Sequence, residues 1–341
     1  MSDGRAVEGV GASHAMTSGP VVTVLAEAGR GVGLGHLRRC QALAAALTAS
    51  GAAVELLVAG QGWEPAPAVG FDWLGEGPAL RETLKARRPA ALVVDSYRAD
   101  EALLRDLGTL VPRLVVVDDL ADRALPVSIV VNGGWHAARL AYRTLPETLR
   151  LFGSEYALLD SAYAEPARRA PGSGIRRVLV TLGGDADPGA LLAAVAAVER
   201  VIPTAAVDVV VGSWTAPDLG VDGVTVHRGL ASLRPLIVGA DLVVSGGGMT
   251  LYECLATGAS VVGLAMADNQ RPNLDEMARA GLIVAAEPSL DEALARVASE
   301  PGLRRKLGAL GREAVDGRGA TRVAVAIMRA CRALGLAEGA G

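Results

Sequence analysis

Short apolar runs alternate along the chain with longer stretches whose apolar residues recur every three or four positions, and glycine or aspartate stands at many junctions. In the first half, Val21 to Ala26, Ala53 to Ala59, Ala91 to Asp95, Leu114 to Asp118 and Val127 to Val131 read as strands. His36 to Ala49, Leu80 to Ala86 and Asp100 to Leu110 read as helices between them. The second half repeats the plan. Strands are expected at Arg177 to Leu182, Ala206 to Val211, Val224 to Val226, Leu242 to Ser245 and Ser260 to Leu264. Helices are expected at Gly189 to Val198, Leu233 to Val238, Met249 to Ala256 and Gln270 to Ala280. The strands are Val- and Leu-rich runs rather than strict alternations, which marks strands covered on both faces in a parallel sheet.

This pattern predicts an α/β chain of two doubly wound, Rossmann-like domains facing a cleft. The expected boundaries are a loose tail over 1–19, an N-terminal domain over 20–163, a Pro- and Arg-rich linker over 164–176 and a C-terminal domain over 177–300. Two helix-like stretches in 301–341 are placed to pack back across the junction.

Composition narrows the function. The 341 residues suit about two domains. Hydrophobic residues make up 51% and charged residues 21%, the balance of a folded body. The mean hydropathy of +0.34 comes from scattered Ala and Val. No uncharged apolar run reaches the roughly 18 residues of a spanning helix. With 33 Lys and Arg against 37 Asp and Glu, the net charge of −4 argues against nucleic acid as a partner. Lys85 and Lys306 are the only lysines, and neither stands in a GxxxxGK[ST] context, so a Walker-type nucleotidase is excluded. Cys40, Cys254 and Cys331 are far apart and in no CxxC spacing. They read as free thiols of a cytoplasmic protein, with no zinc site or other metal centre and no cofactor.

In doubly wound sheets, ligands bind where strands end and helices begin. The first such junction runs from Glu27 through Gly29, Gly31, Gly33 and Gly35 to His36 and Arg39. Alternating glycines let backbone approach a ligand, and the helix start offers unpaired N–H groups to an anion. The dinucleotide pattern GxGxxG fails in every register, with His36, Leu34 or Arg38 in place of the third glycine. A nicotinamide dehydrogenase is therefore only a minor alternative. His36 at the helix start is disfavoured as imidazolium by the dipole and reads as a proton acceptor. Arg39, a turn further on, reads as a solvated charge or as a phosphate or sugar contact.

The second junction is Ser245-Gly246-Gly247-Gly248-Met249-Thr250, followed by Glu253. Its backbone N–H groups and the Thr250 hydroxyl form a cradle for a diphosphate without lysine or metal. Glu253 is either an acceptor for two ribose hydroxyls or an acid that complements the dipole. Ala267-Asp268-Asn269-Gln270 offers amides to sugar hydroxyls, or an N-cap at Asp268 or Asn269. Gly183, Gly184 and Asp185 form another cleft loop, and Asp95, Ser96, Tyr97, Asp118 and Asp119 end strands in the first domain. Each either lines a sugar pocket or caps a turn.

In their order, GLGHLRRC from Gly33, Asp95-Ser96-Tyr97, Asp118-Asp119, Tyr156-Ala157-Leu158-Leu159, Gly183-Gly184, Ser245 to Glu253 and Ala267 to Gln270 resemble one family. It comprises the UDP-sugar hydrolase of pseudaminic-acid biosynthesis and its spore-coat polysaccharide relatives, and the likeness runs from about Val21 to Ala285. The resemblance implies a GT-B fold, related to the peptidoglycan N-acetylglucosaminyltransferase, with UDP held mainly by the second domain. It also implies His36 as the catalytic histidine, Gly246 to Thr250 as the diphosphate loop, Glu253 as the ribose acid and Asn269 and Gln270 as sugar-side amides. The implied reaction is metal-free attack of water at the anomeric carbon of a UDP-sugar. Two places depart from the family: Leu25 and Glu27 replace an Arg-x-Asp, and Asp160 replaces an arginine after Tyr-Ala-Leu-Leu. They are expected to change the polar groups of the sugar pocket and leave the nucleotide site alone. Transfer to an alcohol and a non-catalytic nucleotide-sugar binder remain the alternatives.

Overall fold

The computed structural model describes residues 19–61, 68–74, 77–165, 167, 174–184, 186–212 and 223–338. The expected tail up to residue 18, most of the linker and Asp185 lie outside the described residues.

The first half forms β1 (Val21–Glu27), α1 (Gly35–Ala49), β2 (Ala53–Ala59), β3 (Ala68–Gly70), α2 (Gly77–Arg87), β4 (Ala91–Asp95), α3 (Glu101–Gly108) and β5 (Leu114–Val117). It continues through β6 (Ala124–Leu125), β7 (Ile129–Asn132), β8 (Arg143–Thr144) and β9 (Leu149–Phe152). Seven strands make one sheet in the order β3-β2-β1-β4-β5-β7-β9, and β6 pairs β8 apart from it. The second half forms β10 (Arg177–Thr181), α4 (Pro188–Val201), β11 (Ala206–Val210), β12 (Val224–His227), α5 (Arg234–Gly239) and β13 (Leu242–Gly246). Then come α6 (Met249–Thr257), β14 (Val261–Leu264), α7 (Arg271–Arg279), β15 (Val284–Ala285), α8 (Leu290–Ser299), α9 (Pro301–Ala314) and α10 (Gly319–Glu338). Its six strands run β12-β11-β10-β13-β14-β15. Every pairing in both sheets is parallel.

Apolar clusters on both faces explain the parallel sheets. In the first, Val22, Val24, Leu43 and Leu47 pack with Val323, Ile327 and Met328 of α10, while Leu25, Trp73, Leu84 and Leu104 fill the other face. In the second, Val178, Val180 and Leu191 pack with Leu294, and Leu179, Val243 and Leu251 with Met277. α10 thus returns to the sheet of the first half.

The strands expected in both halves form, within a residue or two at their ends. β3, β6, β8, β9, β15 and α8 are not among the expected elements. The five strands are two to four residues long, too short to declare a period. Among the described residues no helix is long and apolar enough to cross a membrane.

Helix starts differ in a way that bears on function. Asp100, Asp187 and Ser289 cap α3, α4 and α8 by accepting a backbone N–H. α5, α7 and α9 have no side-chain cap, and neither do α1, which begins after Leu34, and α6, which begins after Gly248. Of these, α1 and α6 follow the central strand pairs at which each sheet reverses its winding, β1/β4 and β10/β13.

Candidate functional site

The two winding reversals meet across one cavity of about 1120 Å³. Its walls include Gly33, Gly35, Arg38 and Arg39 from the first half, and Gly183, Gly184, Gly246, Gly248, Met249, Thr250, Glu253 and Gln270 from the second. The segment Leu158 to Tyr163 and the loop Gly229 to Leu233 complete it. A Cβ on Gly184 would lie 3.9 Å from the Leu34 nitrogen, so the two glycine loops stand face to face.

On the first side, Gly29 and Gly33 bridge each other and close a tight loop, with Gly31 and Gly33 both at φ +80. The loop delivers His36 into the first turn of α1. The His36 Nδ1 lies 2.6 Å from Asp95 Oδ1, and Arg39 grips the same carboxylate through Nε and Nη2, both at 2.6 Å. Arg39 also donates to Asp119 at 3.0 Å. Burial raises the Asp95 carboxyl, but the opposing charges and hydrogen bonds of Arg39 and His36 prevail and hold it well below the usual range. An ionised carboxylate at that distance accepts a hydrogen bond from Nδ1–H, which leaves Nε2 as the acceptor of the ring. Tyr97 packs edge-on to the imidazole at 4.6 Å between centroids, and burial followed by the Asp119 charge pushes its phenol up. Cys40, 3.4 Å from Asp95, is a buried thiol also pushed up by burial, and so is no nucleophile.

On the second side, Gly248 precedes the first turn of α6 and lines the cavity with Met249 and Thr250, and a Cβ on it would meet open space. Gln270 accepts from the Gly247 nitrogen at 3.0 Å and from the Met266 nitrogen at 3.1 Å, stapling the glycine turn to the next strand end. Glu253 sits one turn into α6. Its Oε2 is buried without a hydrogen-bond partner, and burial pushes the carboxyl up to about 7 against the pull of Arg38 and the Tyr163 hydroxyl.

Several expectations need correction. Asp95 is fully buried and makes no contact with the cavity; it is the partner that orders His36 and Arg39. Arg39 is neither solvated nor free for phosphate, because its donors are spent on Asp95 and Asp119. His36 is 6% exposed and lies just behind the cavity wall, which its neighbours Gly35 and Arg39 form; Tyr97 is likewise outside the wall. Ser245 is fully buried and donates to the Gly246 carbonyl. The Gly247 N–H is already taken by Gln270, so Gly248, Met249 and Thr250 are what remain for an anion. Asn269 is exposed and outside the wall, and neither it nor Asp268 caps α7 by its side chain. Leu25 is packed with Leu57, Trp73 and Leu84 in the core, far from any polar pocket. Glu27 is buried and held by Ser96 and Arg98. Of the departing residues only Asp160 reaches the cavity, where it also caps its own turn through the Ala162 nitrogen.

The sequence reading missed Arg38, whose guanidinium crosses the cleft to the carbonyls of Leu230 and Ala231, and Tyr163 beside Glu253. Arg38 carried a signal as a cation in the first turn of α1, at the glycine-rich junction. Tyr163 carried none. Among the described residues no group of three His, Cys, Asp or Glu side chains could hold a metal ion.

No protein-family model matches the chain, and no curated protein matches it by sequence. Solved structures do match in fold. The glycotransferase of kitacinnamycin is 17% identical, with 92% of this chain and 99% of that chain covered and a TM-score of 0.61. UGT89C1 of Arabidopsis thaliana, complexed with UDP-L-rhamnose, is 14% identical, with 92% and 99% covered and a TM-score of 0.61. S. aureus MnaA, solved with UDP, is 12% identical, with 89% and 94% covered and a TM-score of 0.60. The fold is therefore the two-sheet α/β arrangement of the GT-B glycosyltransferases over most of the chain.

Proposed function

We propose that the chain is a nucleotide-sugar enzyme that transfers a sugar from a UDP-sugar to an alcohol acceptor. The observation that carries this reading is the pairing, in one cavity, of the uncapped start of α6 with the unpartnered oxygen of Glu253. An uncapped helix start suits a diphosphate, and a carboxylate oxygen one turn on suits a ribose hydroxyl. UDP and UDP-L-rhamnose in two structures of this fold support the choice of nucleotide.

In this reading the N–H groups of Gly248, Met249 and Thr250 meet the charge that develops on the leaving diphosphate. The bond from the anomeric carbon to the diphosphate oxygen breaks, the acceptor oxygen bonds to that carbon, and its proton goes to His36 Nε2. Asp95 keeps the tautomer in order. In this reading the ring reaches the acceptor once the loop from Gly29 to Gly35 moves aside.

Hydrolysis is the second reading, supported by the ordered motifs shared with the pseudaminic-acid UDP-sugar hydrolases. Transfer is preferred because the cavity runs on past α6 along α1, over Gln41, Ala45 and Thr48, which is more room than water needs. The test is a thermal-shift screen with UDP, UDP-sugars and NAD, followed by UDP release from the stabilising sugars with and without alcohols. Release accelerated by an alcohol supports transfer. Rapid release into water alone supports hydrolysis, and stabilisation by NAD but not UDP overturns both.

A further inference from the structure

Arg38 joins the two halves of the cleft. It projects from α1, two residues after His36, and donates through Nη2 to the Leu230 carbonyl at 2.9 Å and through Nη1 to the Ala231 carbonyl at 3.3 Å. These carbonyls belong to the loop after β12, and the next residue, Ser232, pairs with the Tyr163 hydroxyl. Tyr163 in turn bonds Glu253. Four chain segments that are distant in sequence therefore converge on one carboxylate with an unpartnered oxygen.

We propose that Arg38 is a positioning residue that ties the helix of His36 to the nucleotide side and presents its cation to the cavity wall that carries Glu253, the group for the ribose diol. This rests on the nucleotide reading above. The groups facing Glu253 set its charge. From α1 comes the Arg38 cation, which favours the carboxylate. From the segment before the linker come the Tyr163 hydroxyl, which also favours it, and Asp160, which opposes it. Ser232 is uncharged and bonded to Tyr163. α9 packs on the far face of α6 around Leu255, where Arg312 donates to the Ala256 carbonyl, away from Glu253. α5 also packs on α6 and carries Arg234, which donates to the Glu165 carbonyl. Arg38 is the cation that favours the Glu253 carboxylate, and burial otherwise drives the carboxyl toward its neutral form. A protonated Glu253 can still bond a hydroxyl, but it loses the charge-assisted acceptor that grips a diol.

The experiment is calorimetric titration with UDP from pH 6 to 9 on the full chain and its Arg38→Gln, Arg38→Lys and Glu253→Gln variants. UDP's own ionisation is common to all four and cancels in the comparison. Arg38→Gln is expected to move the rise in affinity up by about one pH unit and to weaken binding several-fold at pH 7, with convergence on wild type at pH 9. Arg38→Lys is expected to keep the wild-type pH profile, because the ammonium retains the positive charge. An Arg38→Gln profile that overlays wild type overturns the proposal. Wild-type affinity in Glu253→Gln at every pH overturns instead the nucleotide reading beneath it.

Discussion

His36 presents Nδ1 to Asp95 at 2.6 Å, on a carboxylate that is itself sealed from solvent and clamped from the other side by Arg39. The pair is therefore rigid, and its one free valence is Nε2. His36→Ala is predicted to lower turnover of a UDP-sugar by at least about 100-fold while UDP affinity stays within twofold, since α6 is untouched. Equal loss of turnover and of UDP affinity would remove His36 from the base role.

Asp95→Asn tests the order within the cluster. An amide cannot neutralise the buried Arg39 guanidinium, which is left with the half-buried Asp119 as its only counter-ion at the start of α1. A stability loss of about 3–5 kcal/mol is predicted from urea denaturation. The wild-type contribution has a defined pH sense. Because the folded carboxyl sits below its unfolded value near about 3.9, its stabilisation is present above that value and lost as pH falls further. The gap between wild type and Asp95→Asn should therefore narrow in acid; a gap constant from pH 7 to 3 would count against an ionised Asp95.

The glycine turn after β13 offers a contrast within two residues. A Cβ on Gly247 would lie 2.9 Å from both the Cβ and Oε1 of Gln270, whereas one on Gly248 meets nothing within 4 Å. Gly248→Ala is predicted to leave the melting temperature within about 2 °C and to weaken UDP at least tenfold, because its methyl fills space meant for a diphosphate. Gly247→Ala should lower the melting temperature by displacing Gln270. Undiminished UDP binding in Gly248→Ala would place the anion elsewhere.

The main strands were legible because their buried Val and Leu runs are unbroken, and the glycine junctions because open approach to a ligand demands that residue type. What the sequence could not show is which polar side chain spends its hydrogen bonds on which neighbour. Arg39 and Asp95 are 56 residues apart and look like independent sugar contacts until the parallel pairing of β1 with β4 brings them together. Gln270 likewise reads as a sugar-side amide, yet its oxygen is consumed by the Gly247 and Met266 nitrogens. Leu25 shows the opposite error, a place in the resembled motif taken for a pocket residue that the alternation of β1 turns into the core.

The last helix is tied to the first sheet through Ile327, fully buried in the cluster with Val22, Leu43 and Leu47. Ile327→Ala is predicted to cost about 2–5 kcal/mol in urea denaturation, with UDP affinity of the folded protein unchanged. A cost below about 1 kcal/mol would mean that α10 is an appendage rather than part of that core.

Glu253 carries a stability cost that its replacement should relieve. With the folded carboxyl raised to about 7, the folded protein still holds a proton that the unfolded chain releases. By linkage this group's stabilisation is complete below the unfolded value near about 4.3 and is lost as pH rises toward the folded one. Glu253→Gln removes the charge that burial penalises. It is predicted to be more stable than wild type by about 1–3 kcal/mol at pH 8, the advantage shrinking to nothing near pH 5. In the same variant, UDP should stabilise less than in wild type, since the amide offers the ribose a weaker acceptor. Paired urea denaturation at pH 5 and pH 8, with and without UDP, separates the two effects. A variant that gains stability equally at both pH values would show that packing, and not the buried charge, is what the carboxylate costs the fold.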